Sequence, residues 1–217
     1  MKQGFFVVID GLGGSGKSTQ IEMLKKRLPA DAIFTHEPGG APRAEKIRSI
    51  LKEGDLSTTS TDSGQASSGQ VAPLADFFLF WAARAEHMSA LIRPALEAKK
   101  IVVSDRFDSS TFAMQVRGDE QKDLEEFFWQ CRAATLGDYT PDAYIILDAG
   151  HSVAKDRRVG RREGEDRFDE RAEDYQERVR AGYREFAEKV DGHIVDATRT
   201  PEAIHSDIWA IVGALIR

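Results

Sequence analysis

Short apolar runs recur along the chain and alternate with longer stretches of helical spacing. Phe5–Ile9, Ala32–Thr35, Ile101–Ser104, Ala143–Leu147 and His193–Val195 are rich in β-branched and aromatic residues. Runs this short and this apolar read as strands buried on both faces. Between them, Ile21–Leu28, Ala44–Leu51, Leu74–Leu91 and Leu124–Leu136 carry apolar residues at helical spacing, and Arg171–Val190 is amphipathic. A final helix is expected to open with Thr200 as its N-cap and Pro201 at its first position. Strands alternating with helices predict a single α/β domain over residues 1–217. It should hold about five parallel strands with helices on both faces. Residues 53–73 break the pattern. Between Ser57 and Gln70 there is no large apolar residue, so the segment cannot bury surface and is expected to be a flexible surface insertion.

The first strand runs into Gly11-Leu12-Gly13-Gly14-Ser15-Gly16-Lys17-Ser18, and Thr19 continues into a helix. Strand, glycine-rich loop and helix in this order form a phosphate-binding P-loop. Gly11, Gly13, Gly14 and Gly16 allow backbone N–H groups to turn inward, and the helix start adds its positive dipole end. Lys17 supplies a charge for the β- and γ-phosphates, and the Ser18 hydroxyl is a ligand for Mg²⁺.

Ligands of such sheets sit beyond the carboxyl ends of the strands. Asp10, Glu37, Asp105 and Asp148 each follow a strand-like run, so four acids are expected around one crevice, although each alone could cap a helix. Asp105-Arg106 pairs a carboxylate suited to a Mg²⁺-bound water with a guanidinium suited to a phosphate. Phe80 and Arg84, four apart, share a helix face. There the ring can stack on a base and the guanidinium can donate to its edge; a core Phe with a snorkelling Arg is the plainer alternative. Arg157, Arg158, Arg161, Arg162 and Arg167 lie among Gly160 and Gly164. Residues 156–168 are expected to form a mobile lid carrying arginines onto a transferring phosphate.

The net charge of −6 argues against a broad nucleic-acid or anionic-membrane surface. No apolar run reaches transmembrane length, and no signal-peptide pattern is present. Cys131 is the sole cysteine, as expected in a reducing compartment, and reads as a core residue. A cytoplasmic enzyme is the expectation.

The P-loop, Glu37-Pro38-Gly39-Gly40 with Glu45-Lys46-Ile47-Arg48, Phe80 with Arg84, Asp105-Arg106-Phe107 and Asp166-Arg167 occur in an order that resembles bacterial thymidylate kinases from Phe5 to Ile208. The resemblance implies a P-loop NTPase fold with an arginine-bearing lid, usually a homodimer. It implies transfer of the γ-phosphoryl group of ATP to the 5′-phosphate of dTMP with Mg²⁺. It places residues 11–19 on the ATP phosphates, Arg48 and Arg106 on the acceptor phosphate, and Asp105 on Mg²⁺ and water. It further implies Phe80, Arg84 and Gln115 at the base and Arg199 on adenine. The P-loop lacks an arginine, as in relatives whose catalytic arginine comes from the lid, so Arg157, Arg161 and Arg162 are the candidates. Three positions depart from the family. Gly13 stands where an acid usually contacts the sugar 3′-hydroxyl, Met114 where an aromatic residue usually lies beside the sugar, and His36 where an arginine is common. Ser110, Thr111 or the insertion are candidates to make the sugar contacts instead. Another nucleotide acceptor, or a nucleotide-binding protein without catalysis, are the alternative readings.

Overall fold

The computed structural model describes residues 4–52, 72–159 and 171–216. Five parallel strands form one sheet: β1 (Phe5–Gly11), β2 (Ile33–His36), β3 (Ile101–Asp105), β4 (Ala143–Asp148) and β5 (His193–Asp196). Their order is β2-β3-β1-β4-β5, so the P-loop strand lies at the centre, with Ile9 beside Asp105 and Asp10 beside Ile146. The strands continue one or two residues beyond their apolar runs, because polar Asp105, Asp148 and Asp196 still pair in the ladder.

Period-two alternation explains the layers. Phe6 and Val8 on β1 pack with Phe77, Trp81, Phe107 and Phe128 on one face. Val7 and Ile9 pack with Leu24, Ile145, Ile208 and Val212 on the other. The first face is covered by α3 (Pro73–His87), a π-turn (Met88–Ile92), α4 (Arg93–Glu97) and α6 (Glu125–Leu136). Backbone helicity thus runs through Pro94, where a break is the usual outcome; the wide turn supplies the slack. The second face is covered by α1 (Lys17–Lys25) and α9 (Pro201–Leu215). Thr200 caps α9 by accepting from the Ala203 N–H, with Pro201 at the first helical position.

α2 (Pro42–Lys52) follows the Pro-Gly-Gly turn, and α5 (Asp108–Thr111) follows β3 and passes into a second π-turn, Phe112–Gly118. After β4 come α7 (His151–Val159) and α8 (Glu173–Lys189). α8 lies tight against the second π-turn. A Cβ at Gly182 would sit 2.9 Å from the Ala113 Cα. Arg117 fastens the contact by donating from Nε to Glu185 at 2.6 Å.

The sequence boundaries shift at two places. Ala72 and Pro73 belong to the start of α3 rather than to the insertion, and residues 53–71 lie outside the described part. Residues 156–159 of the expected lid are the end of α7, while 160–170 lie outside the described residues. Cys131 is partly buried and burial pushes its thiol pKa up, in keeping with a packing role.

Candidate active site

The P-loop turns on glycine geometry. Gly11, Gly14 and Gly16 have φ of 141°, 82° and 102°, which disfavours side chains. A Cβ at Gly11 would also meet the Leu147 carbonyl oxygen at 2.5 Å. Gly16 is the N-cap of α1 and gives it no side-chain cap, and a helix start of this kind turns its positive dipole end toward an anion. Lys17 Nζ donates to the carbonyl oxygens of Gly11 at 3.0 Å and Leu12 at 2.9 Å. Its charge is therefore held over the loop. Ser15 Oγ is buried with no hydrogen-bond partner among the described residues.

Ser18, at the start of α1, shares a groove of about 500 Å³ with Asp105 and His36. Asp105 Oδ1 is buried there without a partner among the described residues. A hydroxyl and an unsatisfied carboxylate oxygen are hard donors that fit Mg²⁺, which keeps most of its shell in water and phosphate. Among the described residues no group of three or more His, Cys, Asp or Glu side chains is placed to hold a metal.

A second cleft, with about 670 Å³ of space, is lined in part by Arg106. Glu37, Arg48, Phe80, Arg84, Arg106, Ser110 and Met114 are among its lining residues. α3 places Phe80 and Arg84 together in this wall, as their spacing predicts. Arg84 is 1% exposed. It donates from Nε to Glu37 Oε2 at 2.9 Å and from Nη2 to Thr111 Oγ1 at 3.1 Å. Its guanidinium carbon lies 4.5 Å from the Trp81 ring centroid. Arg84 Nη1 is buried and has no partner among the described residues, and neither has the Gln115 carboxamide. Unsatisfied buried donors and acceptors cost about 1–3 kcal/mol each, so these atoms gain most from a ligand with a polar edge. Arg48 donates from Nη1 to the Pro38 carbonyl at 2.5 Å.

Arg106 has φ of 68°, a strained left-handed conformation for a long side chain. Nη1 reaches the Gly11 carbonyl at 3.2 Å, Ser110 Oγ at 3.2 Å and the Tyr183 hydroxyl at 3.0 Å. This backbone brings the guanidinium against the P-loop carbonyl of Gly11 while the residue lines the second cleft.

Asp10 and Asp148 depart from the expected ring of four acids. Asp10 is 0% exposed. It accepts from the Gly11 N–H (2.8 Å), Ser109 Oγ (2.6 Å), Ser110 Oγ and the Tyr183 hydroxyl (2.9 Å). With its oxygens saturated it supports the site from beneath and does not face a substrate. Asp148 accepts from Arg180 Nε at 2.7 Å and also pairs with Arg184, which ties β4 to α8. Of the four, Glu37 and Asp105 are the ones among the residues lining the two clefts.

Thr111 acts through Arg84, as above, and Thr19 is partly buried in α1. Arg157 donates from Nη1 to the Ala197 carbonyl at 2.8 Å, two residues before Arg199. Arg199 itself pairs with Asp207 and donates from Nε to the Asp196 carbonyl at 3.2 Å. Arg161 and Arg162 lie outside the described residues. Tyr183, Ser109 and His87 were not singled out by sequence. Tyr183 and His87 sit on helix faces at ordinary core spacing, where nothing local marks a polar role.

A family model described as "Thymidylate kinase" matches residues 9–208. A thymidylate kinase of Ruegeria pomeroyi is 35% identical over 216 residues, covering 96% of this chain and 94% of that protein. One from Symbiobacterium thermophilum is 38% identical, covering 97% and 94%. The crystal structure of thymidylate kinase from Ehrlichia chaffeensis superposes with a TM-score of 0.71 at 25% identity, covering 96% of this chain and 98% of that one. A P-loop flanked by two clefts, matched by full-length relatives of one kind, places this chain in the thymidylate kinase family.

Proposed function

We infer that the chain transfers the γ-phosphoryl group of ATP to the 5′-phosphate of dTMP, giving dTDP and ADP. Family membership over nearly the whole chain supports the reaction. The observation that carries the site assignment is Arg106. Its strained backbone puts one guanidinium against both the P-loop carbonyl of Gly11 and the second cleft. Donor and acceptor phosphates would therefore meet at a shared cation.

In this reading the acceptor phosphate oxygen attacks the γ-phosphorus in line, and the β–γ bridging oxygen leaves with its electron pair on ADP. The acceptor is already anionic, so no general base is needed, and catalysis rests on positioning and charge stabilisation. Lys17 moves its ammonium from loop carbonyls to phosphate. Arg48 and Arg106 hold the acceptor phosphate. Phe80 stacks on the base while Arg84 Nη1 and the Gln115 carboxamide meet its polar edge. Mg²⁺, held by Ser18 and Asp105, would neutralise developing charge. Arg157 and Arg199, gathered around the Asp196–Arg199 turn, suit the adenine side. That leaves Arg161 and Arg162 for the transferring phosphate.

Two finer assignments belong to the same reading. A homodimer is supported by exposed Ile50, Leu74, Phe78 and Phe127, the last two in edge-on ring contact at 5.9 Å. A cytoplasmic location fits the single partly buried cysteine. Among the described residues no helix is long and apolar enough to cross a membrane. The test is ADP release from ATP and dTMP, with Lys17→Ala as control. Turnover that disappears in the folded variant is expected; equal turnover in both would overturn the P-loop assignment.

A further inference from the structure

His87 is 0% exposed on the last turn of α3 and touches neither cleft. Its Nδ1 lies 3.1 Å from Glu37 Oε1, and its Nε2 lies 2.7 Å from Thr35 Oγ1. Glu37 Oε2 in turn holds Arg84, which holds Thr111. These contacts constrain the protons on the imidazole of His87. Its Nδ1 faces a carboxylate, which can only accept, and must carry the proton. Nε2 faces the Thr35 hydroxyl, which can either donate to it or accept from it.

We propose that Thr35, His87 and Glu37 form a buried positioning relay that sets the orientation of Arg84 in the acceptor cleft. Without the His87 link, Glu37 can rotate about its side chain and Arg84 loses its fixed partner. With it, both Glu37 oxygens are committed, Arg84 is locked through Nε and Nη2, and Nη1 is left for the ligand. The Pro-Gly-Gly turn completes the device. Gly40 has φ of 78°, and a Cβ there would lie 2.4 Å from both His87 Nε2 and Thr35 Oγ1. The second glycine thus lets backbone pass close against the Thr35–His87 hydrogen bond. Its N–H is held by Glu45 Oε1 at 2.7 Å. This assigns Thr35, which lines the first groove, and His87, which lines neither, a part in binding the acceptor base in the second cleft.

The relay rests on the dTMP reading, and the experiment separates the two. Steady-state kinetics are compared for wild type, His87→Asn and His87→Gln. Asparagine can place an N–H where Nδ1 stands and keep the Glu37 link; glutamine reaches toward the Thr35 position instead. The expected result is a KM for dTMP raised roughly tenfold in His87→Gln, as for one lost hydrogen bond to a charged group. The KM for ATP should be unchanged, with partial rescue in His87→Asn. A purely structural role would lower the active fraction, and so kcat, without moving the KM for dTMP, and that pattern overturns the relay. Wild type without dTMP turnover would contradict the functional reading instead. In that event nitrogen-15 NMR of the His87 ring decides independently: a proton on Nδ1 supports the relay, and an unprotonated Nδ1 overturns it.

Discussion

Arg106 Nη1 lies 3.3 Å from Asp10 Oδ1, a cation on a left-handed backbone paired with a fully buried carboxylate. A non-glycine residue at positive φ costs of order 1–3 kcal/mol when its surroundings hold it there. The two obvious truncations therefore separate the backbone from the side chain. Arg106→Ala and Arg106→Gly both remove the guanidinium and should both abolish turnover. Only glycine relieves the backbone, so Arg106→Gly should be the more stable of the two by about 1 kcal/mol. Chemical denaturation measures the difference; equal stabilities would mean that the left-handed conformation stores no strain.

His205 on α9 provides a pH-dependent prediction. Both ring nitrogens are buried without hydrogen-bond partners among the described residues. Burial first, and the Arg27 charge second, lower its pKa from the ordinary 6.5. A histidine with a lowered folded-state pKa stays neutral while the unfolded chain takes up its proton. The stability this protects is complete above pH 6.5 and is lost as pH falls below it. His205→Leu should be more stable than wild type by about 1 kcal/mol at pH 8, since it removes unsatisfied polar atoms. The gap should widen at pH 5. Thermal melts at both values test this, and a gap that narrows at pH 5 would refute the assignment.

Gly13 does not share the positive φ of Gly11, Gly14 and Gly16, so its backbone conformation does not itself demand glycine. Gly13→Asp should supply a carboxylate acceptor for a sugar hydroxyl and lower the KM for dTMP by about tenfold, the scale of one charge-assisted hydrogen bond. The KM for a 3′-deoxy analogue should not fall. Unchanged affinity for dTMP would show that another group, such as Ser110 in the cleft wall, already makes the contact.

Much of the fold was legible in the chain because local signals agreed. The five apolar runs became the five strands, and Thr200 with Pro201 opened α9. The Phe80–Arg84 spacing predicted a shared wall of the second cleft. What stayed hidden depends on contacts distant in sequence. Asp10 reads like its fellow strand-end acids, yet Tyr183, 173 residues away, helps saturate it. Asp148 reads the same way and is taken up by Arg180 and Arg184. His87 sits at an ordinary core position, and only the fold brings Thr35 and Glu37 to its two nitrogens. The π-turns were equally silent, since a wide turn of helix leaves the apolar spacing nearly unchanged.

The second cleft, in the proposed reading, takes a thymine deoxynucleotide, with Gly13 and Met114 at the positions where the resemblance expects an acid and an aromatic residue near the sugar. The most direct measurement of this central claim is kcat/KM from ADP release across dTMP, dUMP, dCMP, dGMP and UMP with saturating ATP and Mg²⁺. The highest value is expected for dTMP: family membership carries the choice of thymine over uracil, and Arg84 Nη1 in the wall beside Phe80 suits the edge that both bases share. A higher value for any other monophosphate would contradict it.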